Sequence, residues 1–324
     1  MTVFGHLHFV LHSVLLSNLV SGTLNVLYMD KDSIIGYSAG IITGVSYGLN
    51  PLFAMPLLSA GAPVENILFF RYGLSVVILG IWLAAVKCSF RITRRQASRL
   101  LVLGLLFTAS SLFLFEAYRF IPSGLATTIV FLYPVLVAII MVFMKVYPTW
   151  QVWLSIILTF VGVVILTGNE SSHAGLSGVL FSGASALSYA MFIVIVNRSK
   201  AIRTVPNTLL TFYALIVGTV VFFVRALMAG HSLVTGFHGF SPWLNLLGLA
   251  VLPTIVSTAT LALATRKIGA TKASVLGVFE PVTAIIVGTV AFGEPLTANV
   301  ILGICLTMAA VIFMVLSSSK NTKK

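Results

Sequence analysis

Apolar runs of about 20 residues, interrupted by short polar connections, follow one another from Ile34 to Leu316. A helix rises about 1.5 Å per residue and the hydrocarbon of a bilayer is about 30 Å thick, so each run has the length of one crossing. With 59% hydrophobic and 8% charged residues, the chain has too little polar surface to wrap one water-soluble core. Soluble domains carry roughly a quarter charged residues. The sequence therefore reads as an all-α membrane protein with ten segments, near residues 34–58, 66–86, 99–116, 124–144, 150–166, 176–196, 208–228, 244–264, 271–291 and 299–316. Turn formers fill the connections, as in SAGAP before Val64 and TVPN before Thr208, which fits helices that return antiparallel. Residues 1–33 stand apart. Their stretch 9–29 is broken by His12, Ser17, Asn18 and Asn25 and lacks the basic flank of a signal peptide. It reads either as an additional hydrophobic segment or as sequence ahead of a start at Met29.

Sliding the chain by 147 positions superposes Pro134 on Pro281, Arg119 on Arg266, Ile121 on Ile268, Ala126 on Ala273, Val135 on Val282, Ile139 on Ile286 and Pro148 on Pro295. The chain is thus expected to hold two copies of a five-helix unit, at 34–168 and 175–318, followed by a basic tail at 319–324. Five crossings is an odd number, so the second copy would enter the membrane upside down. Inverted repeats of this kind place substrate sites near the midplane between the halves.

The formal charge of +12 raises the possibility of nucleic acid, but the basic residues sit in short runs between apolar stretches and no base-reading motif accompanies them. Topology explains them better. With the residues before Ile34 inside, 16 of the 19 Lys and Arg fall in cytoplasmic loops, where short loops favour them. Arg71, Arg119 and Arg225 remain, near the opposite ends of segments. Both ends of the ten-helix core are then cytoplasmic. Cys88 and Cys305 form neither a disulfide framework nor a metal motif, and the six histidines show no paired spacing. Gly44-Val45-Ser46-Tyr47-Gly48 matches a hydrolase nucleophile pattern but lacks the strand-to-helix elbow and the His and Asp partners that the chemistry needs. No phosphate-binding loop, catalytic constellation, metal site or cofactor motif is read.

The prolines carry different neighbours, Tyr133 before Pro134 and Glu280 before Pro281. Each proline removes a helical hydrogen bond and kinks its helix. Glu280 lies about nine residues from the predicted inner end of its segment, roughly 14 Å along the axis and close to mid-membrane. A carboxylate at that depth costs on the order of 3 kcal/mol and usually faces a cavity or a partner. It reads either as a substrate or proton site or as a structural acid bracing a kink. Asn50 and Tyr47, with Ser188 and Tyr189 at the matching place in the second copy, offer hydrogen bonds either to a solute or between helices. Arg71 and Glu116, near the same face, can pair with one another; alternatively Arg71 anchors an anionic ligand or snorkels to the interface. Gly36, Gly40, Gly44 and Gly48 bare one face of the first segment for a close helix contact.

The second copy, with Pro281, Val282 and then Gly293, Glu294, Leu296 and Thr297, resembles the EamA-type permeases of the drug/metabolite transporter superfamily. The first copy departs from the pattern, with Val146, Tyr147, Thr149 and Trp150 where the glycine, acid, leucine and threonine would fall. The resemblance spans nearly the whole chain. It implies ten helices in two inverted repeats, alternating access, and a cavity lined by the first, third and fourth helices of each repeat. Asn50, Tyr133, Ser188, Tyr189 and Glu280 are then the cavity candidates, and Glu294 a turn-capping residue. The expected function is secondary transport of a small organic metabolite, an amino acid or similar, across the cytoplasmic membrane and outward, with the proton as a candidate coupling ion. A passive channel or facilitator is the alternative, followed by a non-transporting membrane protein or enzyme.

Overall fold

The computed structural model of the chain describes residues 31–145, 173–230, 232–268 and 276–321, with isolated positions between 150 and 165 and Ala273. The stretch 9–29 and most of the segment near 150–166 lie outside the described residues. Every regular element among the described residues is a helix: α1 Lys31–Gly48, α2 Asn50–Ser59, α3 Val64–Ala85, α4 Arg94–Ala117, α5 Ser123–Val130, α6 Tyr133–Phe143, α7 His173–Arg198, α8 Asn207–Met228, α9 Ser241–Ala250, α10 Ser257–Ile268, α11 Phe279–Phe292 and α12 Ala298–Asn321. A π turn, Val251–Val256, joins α9 to α10.

Among the described residues seven helical stretches are long and apolar enough to cross a membrane, and two shorter apolar helices, Phe279–Phe292 and Ala298–Ala310, follow. Their outward faces carry large apolar side chains such as Val77, Ile81, Leu180, Val220 and Val290, which suits contact with lipid rather than water. The protein is a multi-pass membrane protein.

Local chemistry sets the ends and the breaks. Thr93 and Gln96 form a capping box, Gln96 N donating to Thr93 Oγ1 at 3.3 Å and Thr93 N to Gln96 Oε1 at 2.8 Å. It starts α4 five residues ahead of the apolar run that hydropathy picks out. Pro51, Pro134 and Pro281 have no N–H to give the carbonyl four residues back, and each helix is interrupted just ahead of its proline. The interruptions fall at Leu49, at Phe131–Leu132 and at Gly277–Val278. Two segments expected as single helices are therefore split into α1–α2 and α5–α6. Pro253 has a milder effect. The helix widens into the π turn around it, and Ser75 Oγ of α3 donates to the Ala250 carbonyl at 3.1 Å.

The packing exchanges elements between the two halves of the chain. α1 lies along α10 and α4 along α7; α3 meets α8; α11 rests on α1, while α5 and α6 rest on α7. Hydroxyl pairs mark both first-to-third contacts: Thr43 with Thr260 at 2.8 Å, and Ser110 with Ser185 at 3.1 Å. The glycine face of α1 meets the expectation of a close approach. A Cβ at Gly36 would stand 2.9 Å from Lys267 Cβ, and one at Gly44 2.7 Å from Phe279 Cβ. The main core is built from Tyr72, Phe115, Phe222 and buried leucines and isoleucines of α2–α5, α8 and α9.

Candidate functional site

The interrupted helices meet around Glu280. Its backbone is cradled by α1, where Gly44 approaches the Glu280 amide and Gly48 its carbonyl. Its side chain, half-buried at the start of α11, lies within coulombic range of three phenols: Tyr47 from the last turn of α1, Tyr133 from the first turn of α6 and Tyr189 from the middle of α7. The Tyr133 and Tyr189 rings stand edge to face with centroids 4.8 Å apart. Among the described residues no basic side chain forms an ion pair with Glu280. A half-buried acid with phenols in its neighbourhood and no ion-pair partner among the described residues can hold a proton or attract a cation.

Asn50 and Ser188 turn out differently from one another. Asn50 is buried beside this group at the start of α2; its Nδ2 donates to the Tyr47 carbonyl at 3.0 Å, and its Oδ1 has no hydrogen-bond partner among the described residues. The Ser188 hydroxyl donates to the Ala184 carbonyl of its own helix at 2.8 Å. That bond satisfies the donor within α7.

Arg71 corrects the sequence reading. It neither pairs with Glu116 nor snorkels: it is 3% exposed, turned into the protein from α3. Glu116 instead accepts from Arg119 Nη1 at 2.9 Å, an i,i+3 pair at the end of α4. Arg71 Nε donates to Thr254 Oγ1 at 3.0 Å, and the guanidinium carbon lies 5.5 Å from the Phe115 ring centroid and 5.9 Å from that of Tyr72. Thr254 in turn donates to the Leu249 carbonyl at 2.9 Å, an i,i+5 contact that the π turn makes possible. Sequence reasoning passed over Thr254; the signal was Pro253 inside an apolar run. Among the described residues Arg71 has no ion-pair partner either.

Tyr47 lies within coulombic range of both Arg71 and Glu280. A row of rings also links the two charges: Tyr133 to Tyr189, then Phe192 at 5.9 Å, Phe107 at 5.7 Å and Tyr72 at 5.9 Å. A cation and an anion thus both act on Tyr47, and the ring contacts run from the neighbourhood of one towards the other. Among the described residues no three His, Cys, Asp or Glu side chains gather as a metal would require.

Comparison with known proteins places this bundle. Residues 34–168 and 176–316 each match the EamA-like transporter family. Three relatives are named uncharacterized transporters. One from Synechocystis sp. is 29% identical over 60% of this chain and 59% of its own length. Two come from Archaeoglobus fulgidus, 31% identical over 42% of this chain and 46% of the relative, and 25% identical over 84% and 92%. The chain thus spans about half the length of the first two relatives. A solved crystal structure shares the fold, with a TM-score of 0.61 at 17% identity over 89% of this chain and 99% of the other. The fold and the duplicated match define a multi-pass membrane protein of the permease kind. The chain belongs to the EamA-like transporter family.

Proposed function

We propose that the chain is a secondary transporter that moves a small organic metabolite, an amino acid or similar, outward across the cytoplasmic membrane by alternating access. The observation that carries this reading is the convergence of Tyr47, Tyr133, Tyr189 and Glu280 where helices of both halves are interrupted. Glu280 is the proposed partner of the solute's amino group, beside the Tyr133 and Tyr189 rings, and Arg71 the candidate anchor for an anionic group. The breaks ahead of Pro134 and Pro281 are the hinges on which the halves rock. Glu280 is also the proposed carrier of a coupling proton.

The same reading takes the bundle as ten helices in two inverted repeats, 34–168 and 175–318, between the leading residues 1–33 and the tail 319–324. The reciprocal packing of first on third and fourth on first helices supports it. The basic loops support cytoplasmic ends for the core, which makes the Glu294 end of the bundle the outer one.

The test is counterflow in liposomes. Purified protein is reconstituted with vesicles loaded with an unlabelled mixture of amino acids, and entry of each labelled one is followed. Saturable exchange that Glu280→Gln reduces at least about tenfold is expected. Equal leakage of all solutes in both forms points to a passive pore and overturns the reading.

A further inference from the structure

The helix α5 begins without a cap of its own. Pro122 occupies the N-cap position and supplies no side-chain hydrogen bond. The missing acceptor comes from the other half of the chain, 171 residues away: Glu294 Oε1 accepts from Ser123 N at 2.7 Å and from Ser123 Oγ at 2.6 Å. Its Oε2 accepts from Gly124 N at 3.3 Å. Glu294, expected as a turn-capping residue, accepts here from the first residues of a helix in the other half. Anions at a helix N-terminus are held by exposed N–H groups and the helix dipole together.

The approach of the two halves is built around this contact. Gly293 takes a left-handed φ of 66°, and Glu294 N donates to the Gly288 carbonyl at 3.0 Å, so the turn aims the carboxylate back across α11. Gly288 leaves the room it needs, since a Cβ there would stand 2.7 Å from Glu294 Cδ. Gly124 does the same for Ile285, 2.9 Å from the place of its Cβ. Meanwhile α5 is a separate rod: every residue in it is buried, and it is cut from α6 at Phe131–Leu132.

The sequence repeat does not carry the carboxylate to the other end of the bundle. The position matching Glu294 by the offset of 147 is Tyr147, which cannot accept from two N–H groups as a carboxylate does. There the halves share an exposed ion pair, Lys267 with Asp32 at 2.6 Å, of the kind that contributes little.

We infer that Glu294 is a latch: its carboxylate on the N-terminus of α5 holds this end of the bundle shut, and opening that end requires the contact to break as α5 swings about Phe131–Leu132. The matching position in the first half carries no carboxylate, so the device is assigned to the Glu294 end.

The test reads accessibility, so it needs no knowledge of the solute and stands or falls apart from the transport reading. In a background with Cys88→Ala and Cys305→Ala, Tyr189→Cys reports the interior of the site. A membrane-impermeant maleimide is added to reconstituted vesicles from the Glu294 side or from the opposite side. Glu294→Ala removes three bonds to a charged group, so labelling from the Glu294 side is expected to rise at least about tenfold and labelling from the opposite side to fall. Ser123→Ala, which keeps the carboxylate and both backbone donors, is expected to shift both rates the same way by a smaller factor. It also serves should Glu294→Ala not fold. Unchanged labelling, or a rise from both sides as from general loosening, overturns the latch.

Discussion

Gly48 lies directly against the carbonyl oxygen of Glu280: a Cβ on the glycine would stand 2.5 Å from that oxygen and 2.6 Å from Thr283 Cβ. The neighbours are backbone and the root of a side chain, which cannot swing away. Gly48→Ala is therefore expected to push α11 off α1 at a cost of about 1–3 kcal/mol. The melting temperature in detergent should fall. Gly183→Ala in α7 meets nothing within 4 Å and is the matched control, expected to leave stability unchanged or slightly raised. Equal melting temperatures for the two variants would show that the glycine face does not set this contact.

The Tyr72 ring is fully buried between Phe107 and Phe222, and its hydroxyl donates to Ser111 Oγ. Tyr72→Phe keeps the ring packing and leaves Ser111, itself 8% exposed, without that donor. A loss of about 1–3 kcal/mol in unfolding free energy follows from stranding a buried hydroxyl. Tyr72→Phe with Ser111→Ala should recover part of it, because the orphaned group is then gone. A double variant less stable than the single one would exclude a hydrogen-bond origin.

Hydropathy and the positions of the basic residues were enough to read an all-helical membrane protein, and the spacing of glycines foretold the face on which α11 rests. These are properties of local sequence. The interruption at Leu49 was also within reach, since Pro51 stands two residues on. The surroundings of Arg71 were not. Counting residues gives depth along a helix but not which side faces lipid, so an arginine near a segment end reads as interfacial until its neighbours are known. Its acceptor depends on a π turn that re-aims Thr254, and Glu294 finds its partner across 171 residues. Both are facts about how helices from different halves meet. Ser188 shows the converse: its position was sensible, but a carbonyl in its own helix takes the hydroxyl.

Arg71 and Thr254 give a prediction on recognition. Lysine keeps the charge but loses the planar fork that reaches Thr254 while presenting its other nitrogens. If the guanidinium holds the carboxylate of a solute, Arg71→Lys should raise the half-saturation concentration at least about tenfold with a smaller effect on maximal rate. Thr254→Val should do the same more weakly, by freeing Nε and letting the guanidinium turn. An amine lacking the carboxylate should be indifferent to both changes. Saturation curves for an amino acid and its decarboxylated amine decide it, and equal sensitivity of the two would remove Arg71 from binding.

Tyr133 and Glu280 occupy matching positions in the two halves, each just ahead of its proline, and their side chains lie within coulombic range of one another. If the carboxylate exchanges a proton during the cycle, the transport rate of the native protein varies with pH. Glu280→Gln, nearly the same in shape and without a titratable group, should then flatten that profile as well as slow the rate. Tyr133→Phe separates the phenol's share: it removes one O–H donor near the carboxylate and leaves the ring against Tyr189. If the phenol donates to the carboxylate during the cycle, its loss should matter more beside a carboxylate than beside an amide, since charge-assisted hydrogen bonds are roughly twice as strong as neutral ones. Tyr133→Phe is thus expected to cost about tenfold in the native background and only a few-fold in Glu280→Gln. The coupling comes from a double-mutant cycle on transport rates. Strictly multiplicative effects, or an unchanged pH profile in Glu280→Gln, would separate the two residues and leave Glu280 without a proton to carry.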